Sequence, residues 1–177
     1  MKTVLIVEDE KMIRQGIKTM IMRSGVPIET IMECNNGETA LEILKEQEID
    51  VMFTDIRMPK MDGIELVQKM QSLEHIPLTV AISGYDDFAY AVEMLRNGVR
   101  EYILKPIERE KITEILKKLN AEIESRKEKE ENNQKIGYQQ MRHLMLSDEI
   151  SGEEQRTIES QYADHFYTGN YYVCCQN

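Results

Sequence analysis

Over its first 120 or so residues the chain alternates between two hydrophobic periods. Short apolar or β-branched runs lie at residues 3–7, 28–32, 51–54, 78–82 and 101–104. Runs of that length, bounded by turn residues, predict buried strands. Between them the apolar positions recur at spacings of three and four. Met12, Ile13, Gly16, Ile17, Met20 and Ile21 form the first such set. Ala40, Leu41 and Leu44 form the second, Ile64, Leu66, Val67 and Met70 the third, and Phe88, Ala91, Val92 and Leu95 the fourth. That period predicts amphipathic helices. Gly25 and Pro27 stop the first helix, and Asn97-Gly98 stop the fourth. A last helix starts near Glu108, with Ile112, Ile115, Leu116, Leu119 and Ile123 on its apolar face. Five strands alternating with five helices predict an α/β fold with a parallel sheet covered on both faces. Right-handed crossovers restrict it to a doubly wound sheet.

After Ile123 the pattern changes. Residues 122–135 are nearly all charged or amide-bearing, with acids and bases interspersed. A solvated helical linker over 123–146 is the first expectation. The sharper alternative is a parallel coiled coil joining two copies of the chain, but Arg126, Glu130 and Asn133 on the continuing seam lend it little support. Residues 1–122 are thus expected to form one domain. Residues 147–177 are expected to begin another, cut short, because Tyr171-Tyr172-Val173-Cys174-Cys175 looks like a strand with no partner in sight.

Charge and composition narrow the function. The 177 residues carry 32 acids against 22 Lys and Arg, a net charge of −10. Such a balance argues against direct nucleic-acid contact by these residues, since phosphate backbones need Lys and Arg. No apolar run approaches the roughly 20 residues that span a bilayer, and the N-terminal run is too short for a signal peptide. Cys34, Cys174 and Cys175 show no metal-type spacing, so a reduced, cytoplasmic protein is expected. His75, His143 and His165 share no spacing and are expected at the surface.

Doubly wound sheets place their sites at the carboxyl ends of strands. There the sequence puts Glu8 and Asp9, then Asp55, then Ser83-Gly84, then Lys105-Pro106. Each alone is ordinary; Asp9 or Glu10, for instance, suits a helix N-cap. Together they form a chemical set. Three converging carboxylates repel unless a cation joins them, and Mg²⁺ suits a few carboxylates plus waters and phosphate. With that ion bound, Asp55 can act as a nucleophile on phosphorus. Lys105 and Ser83 can then meet the phosphoryl oxygens, with Gly84 leaving the approach open. In the loop after Asp55, Asp62 is expected to cap the next helix and Gly63 to take a backbone conformation closed to other residues.

The segments Val7-Glu8-Asp9-Glu10, Asp55-Ile56-Arg57-Met58-Pro59-Lys60-Met61-Asp62-Gly63, Ile82-Ser83-Gly84-Tyr85 and Tyr102-Ile103-Leu104-Lys105-Pro106 resemble the receiver domain of two-component response regulators. The resemblance covers residues 1–122 and implies a flavodoxin-like strand order 2-1-3-4-5. It implies phosphotransfer from a histidine kinase to Asp55 with Mg²⁺, in a phosphoacceptor that catalyses only its own phosphotransfer and dephosphorylation. By the same resemblance Asp9 binds the metal directly, Glu8 through water, and Arg57 through its backbone carbonyl. Ser83 matches the switch hydroxyl, Lys105 the phosphate-binding lysine and Tyr102 the switch aromatic. The Lys105–Pro106 bond is often cis in the family. Glu8 stands where Asp is more usual, and Arg57 lies where a side chain influences the access of water. Residues 85–91 are most similar to regulators with an AraC-type output, so DNA contact is expected only through a region absent from this chain. Dimerisation is expected through the fourth helix, fifth strand and fifth helix, or through the helical extension. Two rivals stand beside this reading. A haloacid-dehalogenase-type phosphatase would carry a second Asp where Arg57 stands, and a receiver-like binding module would typically lack one of the residues kept here.

Overall fold

The computed structural model describes residues 1–84 and 88–146. In chain order the elements are β1 (Thr3–Val7), α1 (Lys11–Met22), β2 (Thr30–Cys34), α2 (Gly37–Glu46), β3 (Val51–Asp55), α3 (Gly63–Met70), β4 (Leu78–Ser83), α4 (Phe88–Arg96), β5 (Glu101–Leu104) and α5 (Arg109–Leu146). The strands form one sheet in the order β2-β1-β3-β4-β5, and every neighbouring pair is parallel. The expected doubly wound α/β fold is therefore present, with the expected strand order.

The period of two along each strand sorts the core into two halves. Val4, Ile6, Val51, Phe53, Val80, Ile82 and Ile103 face α1 and α5, where Ile17, Ile21, Ile112, Ile115, Leu116, Leu119 and Ile123 meet them. Leu5, Val7, Met52 and Ala81 face the other way, against Ala40 and Leu44 of α2, Leu66, Val67 and Met70 of α3, and Met94 of α4. β1, β3 and β4, with helices on both faces, are almost wholly buried. This is why their sequences are mostly apolar or β-branched and do not alternate with charged residues.

Several local expectations need correction. The second strand is not 28–32 but Thr30–Cys34, in register with β1 from Thr3↔Thr30 to Val7↔Cys34. It lies at the sheet edge, so it tolerates the charged Glu33 at which the apolar pattern stops. Glu33 is held there by Arg14 and Lys18 of α1. Met12 belongs to the periodic set of α1 yet is 83% exposed. The N-cap of α1 is Glu10, and its side chain makes no cap hydrogen bond. Gly25 (φ 76°) and Gly98 (φ 84°) do take the left-handed backbone that their stop positions require, but Gly63 does not. The left-handed residue of the loop after β3 is Lys60, at φ 72°. Gly63 is required for a different reason: a Cβ there would stand 2.2 Å from the carbonyl oxygen of Asp55.

Asp62 does cap α3. Its side chain accepts a hydrogen bond from the Glu65 N–H at 2.8 Å. Asp62→Ala is expected to cost about 1 kcal/mol, read as a lower urea midpoint with an unchanged slope. Wild-type stability in that variant would remove the cap from the account.

The chain divides into two compact units, Met1–Ser125 and Arg126–Asn177. In the second, residues 126–146 are helical, and their described side chains are mostly exposed. In a single chain both a solvated linker and one half of a coiled coil leave them so. Among the described residues no helix is long and apolar enough to cross a membrane. The strand-like stretch 171–175, the domain start at 147–177 and the side chains of Phe88, His143 and His165 lie outside the described residues. His75 is exposed beside Glu48, as expected.

Candidate functional site

The parallel register brings the carboxyl ends of β1, β3, β4 and β5 to one edge of the sheet, and the expected residues gather there. Glu8 follows β1 directly and is 0% exposed; Asp55 ends β3 and Ser83 ends β4, both buried. Asp9 is exposed at the rim, and carboxylate oxygens of Glu8, Asp9 and Asp55 lie within 4.8 Å of one another. Lys105 follows β5 across a cis Lys105–Pro106 bond. Its ammonium lies 2.7 Å from Oδ2 of Asp55 and 3.0 Å from Oε2 of Glu8. The Lys105 N–H donates to the Ser83 carbonyl at 2.7 Å, which ties the ends of β4 and β5 together.

Asp55 is held from both sides. Its Oδ1 accepts the Ile56 N–H at 2.7 Å, and its backbone carbonyl accepts the Thr54 hydroxyl at 2.9 Å. The loop beyond it is pinned by Gly63 N–H to the Ile56 carbonyl at 2.8 Å, and by Gly37 N–H to the Met61 carbonyl at 3.3 Å. Asp55 therefore sits on a rigid strand end, not on a free loop.

The electrostatics follow from burial. Glu8 is pushed up from an ordinary 4.5 to about 7, first because it is buried, then because of the Asp55 charge; the Lys105 ammonium beside it pulls it back. Burial works against the Lys105 ammonium too, but Asp55 and Glu8 outweigh it and hold its pKa above the ordinary lysine value. With all groups ionised, three carboxylates and one ammonium leave a surplus equal to one divalent cation. Oε2 of Glu8 is buried and, although close to Lys105, has no hydrogen-bond partner. A buried carboxylate oxygen with an ion-pair contact but no hydrogen bond, within a cluster of hard oxygen donors, fits a hard divalent cation such as Mg²⁺. Glu8, Asp9 and Asp55 are the side chains that would hold it. Cys34, buried nearby at the end of β2, has its thiol pushed up to about 11 by burial and offers no nucleophile at neutral pH.

The remaining expected residues lie around this centre. Arg57 points its side chain to α4, where Nη2 donates to the Tyr90 hydroxyl at 2.7 Å and the guanidinium carbon stands 5.2 Å from the ring centroid. Tyr102, on β5 beside Ala81, is half-buried against the α2–α3–α4 half of the core. By strand alternation Ala81 and Ser83 share a face, so Ser83 and Tyr102 lie on the same side of the sheet, one pleat apart. The sequence reading missed two features. Tyr90 as a partner of Arg57 had no local signal. Arg14, which grips the Glu8–Asp9 loop, had a faint one: a base one turn into a helix that acids precede.

Residues 4–117 match the family described as response regulator receiver domain. An uncharacterized response regulatory protein of Vibrio cholerae is 31% identical over 121 residues, covering 68% of this chain and 46% of that protein. An uncharacterized transcriptional regulatory protein of Bacillus subtilis, YesN, is 31% identical over 123 residues, covering 70% of this chain and 33% of its own length. A crystal structure described as a two component transcriptional regulator AraC from Clostridium phytofermentans superposes with a TM-score of 0.63 at 32% identity, over 73% of this chain and 99% of that one. The chain spans less than half the length of these two curated relatives.

Proposed function

The chain belongs to the response regulator receiver domain family, and on that premise we propose that Asp55 accepts a phosphoryl group from a histidine kinase in a Mg²⁺-dependent reaction. The observation that carries this reading is the Asp55 carboxylate held against the Lys105 ammonium at 2.7 Å, inside the cluster with Glu8 and Asp9. A carboxylate oxygen of Asp55 forms the bond to phosphorus while the phosphorus–nitrogen bond to the donor histidine breaks, its electron pair leaving on the ring nitrogen. Bound Mg²⁺ would offset charge on the phosphoryl oxygens, with Glu8, Asp9, Asp55 and the Arg57 carbonyl around it. Lys105 takes a second oxygen, and the Ser83 hydroxyl a third. Only the chain's own phosphotransfer and dephosphorylation are catalysed.

Phosphorylation adds charge and acceptor oxygens at a buried strand end. Ser83 turns to the phosphate, Tyr102 moves into the space behind it, and the surface of α4, β5 and α5 changes shape. Leu95 and Leu104 are 53% and 43% exposed on α4 and β5, which supports that face as a dimer contact. The helical extension is the other candidate for joining two copies. The likeness to transcriptional regulators supports an output on transcription, with DNA contacted through a region outside this chain. A cytoplasmic setting fits the buried free thiol of Cys34.

Incubation with acetyl phosphate and Mg²⁺ tests the reading by intact mass. One added phosphoryl group is expected in the wild type and none in Asp55→Asn or without Mg²⁺. Equal labelling of the Asn variant, or no labelling of folded wild type, overturns it. Steady turnover of a phosphate ester would instead favour the phosphatase rival.

A further inference from the structure

Arg14 has no part in the proposed reaction, yet besides Glu33 it contacts the loop that carries two of the acids. Its Nη1 donates to the Glu8 carbonyl at 2.5 Å and approaches the Asp9 carbonyl at 3.4 Å. Its Nε lies 3.6 Å from Oε2 of Glu33, and its side chain is 15% exposed. Glu33 is itself fixed on β2, because Lys18 Nζ and Gln15 Nε2 reach it at 2.5 and 2.8 Å. A planar guanidinium, shielded from water, thus bridges an anchored carboxylate to the two peptide units that aim Glu8 and Asp9. The anchor matters because Glu10 gives this helix start no side-chain cap. Without Arg14 the two carbonyls would lose their shared donor, and the loop would be left with the longer bonds from Glu8 N–H to the Cys34 carbonyl at 3.2 Å and from Glu10 N–H to Glu8 Oε1 at 3.3 Å.

We propose that Arg14 is a positioning residue for the divalent cation: by gripping the Glu8 and Asp9 carbonyls it holds their carboxylates convergent with that of Asp55. This rests on the receiver reading, but it concerns metal affinity, which can be measured without phosphotransfer. Two effects of Arg14 oppose each other. Its positive charge disfavours a nearby cation, so deleting the charge alone would tighten Mg²⁺ binding. Its hydrogen bonds hold the ligands in place, so deleting them would weaken binding. The sign of the change decides between the two.

The experiment is a Mg²⁺ titration of the unphosphorylated chain by calorimetry, or by amide chemical shifts, with thermal melting as a parallel readout. Arg14→Met is expected to raise the dissociation constant about tenfold, the lower end for loss of a residue that orients a metal ligand. Arg14→Lys keeps the charge and part of the bonding and should fall between. Lys18→Met loosens the Glu33 anchor but leaves Arg14's own bonds to the acidic loop, and should raise the dissociation constant less than Arg14→Met does. Unchanged or tighter binding by Arg14→Met overturns the proposal, and so does a lower melting point with an unchanged dissociation constant. If Arg14→Met does not fold, wild-type affinity in Arg14→Lys overturns it equally. Failure of the wild type to bind millimolar Mg²⁺ would instead defeat the receiver reading, and this role with it.

Discussion

Replacing Gly63 with alanine is expected to destabilise the protein by about 3 kcal/mol and to remove most Asp55 phosphorylation. The added Cβ would stand 2.2 Å from the Asp55 carbonyl oxygen, 3.0 Å from the Ile56 Cα and 3.1 Å from the Asp55 carbonyl carbon. All three are backbone atoms, so no side-chain rotation relieves the clash. Either α3 retreats from the sheet or the end of β3 bends. Both lengthen the 2.8 Å bond from Gly63 N–H to the Ile56 carbonyl, and the second moves Asp55 relative to Lys105. Alanine recovers about 1 kcal/mol of helix propensity over glycine, which is less than the cost of the overlap. Gly16→Ala is the matched control. It lies mid-helix in α1, where a Cβ meets nothing within 4 Å, and should stabilise by about 0.5–1 kcal/mol. Urea denaturation of both variants reads the contrast; equal stability of Gly63→Ala and wild type would refute the close-approach argument.

Lys105→Met is expected to slow phosphorylation about 100-fold and to destabilise the protein in a pH-dependent way. The ammonium is the cation shared by two buried carboxylates. Removing it should cost about 2–3 kcal/mol near neutral pH, below the figure for a fully buried pair because Lys105 remains partly in water. Glu8 sets the sign of the pH dependence. Its native pKa is raised from 4.5 to about 7, so the native state holds this proton to higher pH than the unfolded chain does. Stability from the neutral carboxyl is therefore lost as pH rises across that window. In the variant the ammonium that pulls Glu8 down is gone, so the window extends further upward. Destabilisation by the substitution should be larger at about pH 8 than at about pH 5.5, and Mg²⁺ should reduce it at the higher pH. Denaturation curves at both pH values, with and without Mg²⁺, check this. A penalty independent of pH and of Mg²⁺ would mean that Lys105 acts by packing alone.

Much of the fold was legible because its causes are local. The strand runs at 3–7, 51–54 and 78–82 are apolar or β-branched throughout, as suits strands covered on both faces, and they recur as β1, β3 and β4. The apolar stripe from Ile112 to Ile123 sits in the core as its spacing predicts. Errors fell where burial was one-sided. β2 is an edge strand, so its last turnless stretch includes Glu33 and the apolar rule ended it early. Met12 shares the helical period but faces water. Gly63 was given a backbone role on its type alone, whereas its neighbour across the fold is what excludes a side chain.

By itself the sequence determined the alternation of strands and helices, the capping Asp62, the stops at Gly25 and Gly98, and the placing of Glu8, Asp9, Asp55, Ser83 and Lys105 at strand ends. Each depends on residues a few positions apart, and periodicity and turn chemistry act over that range. Only the tertiary structure decided that these strand ends meet at one edge, that Lys105 bridges Glu8 and Asp55, that burial lifts Glu8 to about 7, and that Arg14 grips the acidic loop from α1. Those features depend on distance through space and on the exclusion of water, which exist only once separate segments of the chain have packed together.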